Sequence, residues 1–179
     1  MRNVKIALAV LALGFAVAGL AGAASTATQS LTMQVGTIGV ISTTGNPSTL
    51  TVAAPASGGA TPTSGTSTTT YAQYTSTVPS GQTRKITVAW GASDAAPAGC
   101  ALRLTATPNG GTNQGASAGT VTMSSTAQDL VTTIKSCATG TGSTSGAQLS
   151  YSLDVTDATA LVAAATKTAT VTLTLTDAA

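Results

Sequence analysis

The sequence has no histidine and no glutamate, one phenylalanine, and charged side chains at only 7% of its 179 positions. General acid–base catalysis and transition-metal binding draw mainly on His, Glu, Asp and Cys. That inventory is reduced here to five acidic residues, all Asp, and two Cys. An enzyme is therefore not expected, and neither is a cofactor. Ser and Thr are abundant, but a hydroxyl nucleophile without a base is inert. Gly110 and Gly111 lack the strand-to-helix setting of a phosphate-binding loop and read as a turn.

What is present begins with a leader. Arg2 and Lys5 precede an apolar run at 6–18, followed by small residues at 21–24. This is the pattern of a secretory signal peptide over residues 1–23, with cleavage after Ala23 or Ala24. The run is shorter than the ~20 residues a membrane span needs. The mature chain is therefore expected to be secreted, extracellular or at the cell surface, with no membrane span. At about 155 residues it suffices for one domain, read here as residues 36–179 behind an N-terminal extension at 24–35. Losing Arg2 and Lys5 turns seven basic residues into five, against five acidic ones. A neutral chain gives no basis for nucleic-acid binding, and so few charges favour self-association.

Cys100 and Cys137 are the only cysteines. In an exported chain an even pair predicts a disulfide, expected to contribute about 4 kcal/mol by closing its loop.

Along the mature chain the hydrophobic period is two, the mark of half-buried strands. Leu149, Tyr151, Leu153 and Val155 share one face, as do Val171, Leu173 and Leu175. Ile86, Val88 and Trp90 form a third, and Cys100, Leu102 and Leu104 a fourth. Shorter candidates are Leu50 with Val52 and Val121 with Met123. Stretches 71–78 and 130–137 add two strands of mixed parity. In 31–41 the parity of Leu31, Met33 and Val35 changes to that of Ile38 and Val40, which predicts a bulge or a crossing strand at Gly36. Stretches 45–47, 54–70, 93–99, 108–118 and 139–146 read as turns. Residues 157–165 read as a helical turn capped by Asp157, or a loop. About nine strands with one Trp predict an all-β fold, a two-sheet antiparallel sandwich of immunoglobulin-like or jelly-roll type with one disulfide. A closed barrel is the alternative, but five aromatic residues cannot furnish the girdles of an outer-membrane barrel.

Candidate sites are few. Asp154 and Asp157 are possible calcium ligands, but two carboxylates read better as a strand-end turn, so no metal site is expected. Arg84 and Lys85 read as solvated. The Thr-rich tract 61–70 reads as a flexible loop or a carrier of O-linked sugar. Trp90 and Tyr151 read as core, leaving Tyr71 and Tyr74 as the platform on which a sugar would stack.

In architecture the chain resembles exported β-sandwich subunits of fimbriae and extracellular matrix filaments. The resemblance rests on the leader, the alternating segment TATQSLTMQV at 26–35, the paired cysteines and the terminal strand TVTLTLTD at 170–177. It implies that 26–35 completes the sheet of a neighbouring copy, with Leu31, Met33 and Val35 as the donor-strand interface. The expected function is thus a secreted structural subunit whose partner is itself. The alternative is a monomeric secreted module that binds carbohydrate or a surface.

Overall fold

The computed structural model describes residues 26–178. The expected signal peptide at 1–23 lies outside the described residues, as do Ala24 and Ser25. The chain divides into two units, Met1–Gln34 and Val35–Ala179. In the first, residues 26–34 are exposed and carry no regular secondary structure.

The second unit is all-β. Its strands are β1 (Ile38–Thr43), β2 (Gly65–Thr77), β3 (Arg84–Trp90), β4 (Cys100–Pro108), β5 (Ala116–Ser117), β6 (Thr120–Thr122), β7 (Gln128–Ile134), β8 (Cys137–Ala138), β9 (Ala147–Val155) and β10 (Val171–Asp177). One sheet has the order β1-β2-β9-β4-β6, with β8 also paired to β2; the other has the order β10-β3-β7-β5. Every pairing is antiparallel.

Alternation in the sequence decides which side of each strand is buried. In β9, Ala147, Leu149, Tyr151 and Leu153 are buried while Gln148, Ser150 and Ser152 are not. In β3, Ile86 and Val88 turn inward between the half-buried Lys85, Thr87 and Ala89. Ile86, Leu104, Leu130, Ile134, Leu149 and Val131 are the largest fully buried side chains, and they come from both sheets. Each contributes about 1.5–3 kcal/mol by leaving water. The two inner faces therefore share one core, as in a sandwich.

The structure corrects several expectations. Cys100 and Cys137 are not bonded. Cys100 pairs with Val155 at one end of β9. Cys137 pairs with Ser76, beyond Ala72, which itself pairs with Ala147 at the opposite end of β9. The cysteines thus lie roughly 35–40 Å apart along the strands, whereas a disulfide needs Cα atoms within about 7 Å.

Residues 31–35 belong to no strand, and pairing starts at Ile38 rather than passing through a bulge at Gly36. In β1 the apolar pair Ile38 and Val40 is exposed, while Ile41 packs on the core. The tract 61–70 is strand from Gly65 onward, because alternating Ser and Thr suit a pleated, half-buried surface and bury Ser67 and Thr70. Leu50 and Val52 form no strand; an isolated bridge joins Ala53 to Thr63. Residues 157–165 contain a single 3₁₀ turn, Ala158–Ala160, capped by Asp157.

Arg84 is buried rather than solvated. Its Nε donates to Asp177 Oδ1 at 2.8 Å and its Nη1 donates to the Ile38 carbonyl. Gly39 makes this burial possible, since a Cβ there would collide with the guanidinium.

Candidate functional site

At the end of the sandwich where β3 stops and β10 begins, the two sheets do not close on each other. Trp90 and Val171, directly paired, form the last inward rung of one sheet. The facing sheet continues past them through Leu102, Leu153 and Cys100. Between them lies a groove of about 1060 Å³, floored by Tyr151, Leu153 and Leu102 and walled by loops 46–54, 95–98 and 161–169.

The walls are held by local hydrogen bonds. Asp94 Oδ2 accepts from Gly91 N at 3.0 Å and from Thr170 N at 2.8 Å, tying the end of β3 to the start of β10. Ser48 donates from its amide and its hydroxyl to Ser67 Oγ, at 3.2 and 3.0 Å. That contact lays the first loop against β2, where a Cβ on Gly65 would meet the Thr51 backbone. β1 covers only Ala72–Thr77 of β2, so the Gly65–Thr70 half has no strand on that flank.

The groove carries little charge: among the described residues, Lys167 is the one charged side chain that lines it. Tyr151 is 6% exposed, yet its hydroxyl has no hydrogen-bond partner among the described residues and is not sealed from solvent. Burial raises the pKa of this phenol above the usual tyrosine value, so it stays protonated and able to donate.

Each of the five aspartates is engaged structurally: Asp94 as described, Asp129 with Lys85 at 2.9 Å, Asp154 with Arg103 at 3.3 Å, Asp177 with Arg84, and Asp157 with Thr159. The bonds to the Thr159 hydroxyl and amide hold the Asp157 carboxyl below its ordinary pKa. Asp154 and Asp157 are thus engaged with different partners, and no cluster of three metal-ligating side chains occurs among the described residues. No described helix is long and apolar enough to cross a membrane.

Among the residues singled out in the sequence, Cys100 lines the groove, while Cys137 sits half-buried at the far end of the sheet with its thiol pKa pushed up by burial. Leu31, Met33 and Val35 are 76%, 82% and 83% exposed. Tyr74 is core, its hydroxyl donating to the Gln114 carbonyl. That leaves only Tyr71 of the two-tyrosine platform. Sequence reasoning missed the groove because Leu50 and Val52, read as a short strand, belong to a loop, and Leu161 and Val162 lie in the stretch read as a helical turn or loop, so neither pair marked a wall between the sheets. No family model matches the chain, and neither a curated protein nor a solved structure does.

Proposed function

We propose that the protein is a secreted, non-enzymatic structural subunit that assembles into extracellular or cell-surface filaments by β-strand complementation, with residues 26–35 as the donor and a second copy as the partner. The observation that carries this reading is the alternating triplet Leu31, Met33 and Val35, each more than three-quarters exposed and just ahead of the first strand. Soluble chains rarely leave such a run in water unless it marks an interaction site. Burying the three side chains contributes about 5–8 kcal/mol before ordering costs. The segment carries no charge, so an apolar slot strands no ionic group of it.

Within the sandwich class the jelly-roll type is the better description, because nearly every connection from β2 onward crosses between the sheets. The monomeric carbohydrate-binding alternative loses ground with the burial of Tyr74.

Electron microscopy and sedimentation of the mature protein test the proposal. The wild type is expected to form filaments, as is Thr32→Ser, whereas Met33→Asp and a chain lacking 24–35 remain folded monomers. A wild type that stays monomeric at high concentration, with residues 31–35 protected from hydrogen exchange, refutes the reading.

A further inference from the structure

We propose that the acceptor for residues 26–35 is the groove floored by Tyr151, Leu153 and Leu102, and that it takes this segment from a second copy of the chain, never from its own. This inference rests on the assembly reading above and adds where the strand is seated.

Reach excludes the chain's own segment. In the sheet that holds the floor, Ile38 is level with Thr77, and Tyr151 is level with Ser67. Ten residues of β2 separate those levels, about 33 Å. Val35 precedes Ile38 by three residues and Leu31 by seven, spanning at most about 10 and 24 Å when fully extended. The triplet therefore cannot lie over Tyr151 of the same molecule.

Chemistry favours the partner's segment. An extended strand presents side chains on one face and alternating amide and carbonyl groups along its edges. The groove offers two matching features: an apolar floor and, in Tyr151, a largely buried phenol able to donate to a backbone carbonyl. Its volume, about 1060 Å³, is at the upper end of small-ligand pockets and leaves room for several side chains. With only Lys167 charged in the lining and no charge in 26–35, no ionic group is stranded when the two meet.

Cys100 lines the groove and supplies a native reporter. In full-length mature protein carrying Met33→Cys and Cys137→Ser, a short bismaleimide added to assembled material is expected to give a ladder of covalent oligomers on a denaturing gel. The ladder should vanish when Cys100→Ser is added. Tyr151→Phe, which keeps the ring and removes only the hydroxyl, is expected to raise the concentration needed for assembly about tenfold, the effect of one lost hydrogen bond. Filaments without a Cys100-dependent ladder overturn the groove assignment and leave the assembly reading standing. A cross-link confined to single chains overturns the second-copy occupant. Failure of the wild type to assemble removes both proposals.

Discussion

Arg84 shows how one missing side chain fixes the fate of another. Its guanidinium reaches the Ile38 carbonyl because position 39 has no Cβ, and it thereby fastens edge strand β1 to the opposite sheet. The two ends of the Arg84–Asp177 pair differ in worth, since the arginine side chain is 10% exposed and the aspartate 81%. A pair open to water on one side contributes less than about 1 kcal/mol. The charged hydrogen bond that the mostly buried guanidinium donates to the Ile38 carbonyl is worth about 1.5–3 kcal/mol. Arg84→Met is therefore expected to destabilise the domain by about 2 kcal/mol and Asp177→Asn by well under half of that, as measured by denaturant unfolding. Equal losses would mean that the ion pair, not the carbonyl contact, holds β1.

Among the elements, those legible in the sequence are the ones whose own apolar residues keep strict alternation. β3, β9 and β10 meet that condition, and the faces of Ile86, Leu149 and Leu173 follow directly from it. β7 does not, because its register with β3 shifts twice, between Arg84 and Ile86 and between Ile86 and Thr87. Those irregularities bury the neighbours Leu130 and Val131 together and place Thr133 at φ 57, a conformation that no hydrophobic pattern announces. The first half of β2 escaped because Ser and Thr give pleat-forming stiffness without an apolar signal. The cysteines mark a different limit: parity places Cys100 on its leucines' face, but which strand ends lie together is set by the whole topology. Their separation predicts that the native protein contains two alkylatable thiols once denatured, read by intact mass. It also predicts that replacing both by Ser changes stability by no more than about 1 kcal/mol. A mass two protons lighter before reduction would contradict the strand order, because no local adjustment spans the sheet.

For the whole molecule, two phenols buried in one core tie stability to alkaline pH. Burial raises the pKa of Tyr74, with the nearby Cys137 thiolate adding a smaller repulsive contribution, and burial alone raises that of Tyr151. In the unfolded chain both ionise near the ordinary value of 10.0. Above that pH the unfolded state has released protons that the folded state still holds, so unfolding becomes progressively more favourable as pH rises. Stability from these two residues is thus complete below about pH 10 and falls above it. In a Tyr71→Phe background, where only Tyr74 and Tyr151 report, tyrosinate absorbance should appear together with the loss of β-sheet circular dichroism, in one cooperative step. Tyrosinate forming while the sheet signal persists would show that the core admits water at either phenol. The proposed assembly provides the internal comparison. A partner strand over Tyr151 buries its hydroxyl further and stabilises the folded form by mass action, so filaments should withstand a higher pH than dispersed Met33→Asp monomers. Tyr151→Phe should narrow that difference, because the group whose ionisation the neighbour suppresses is then gone.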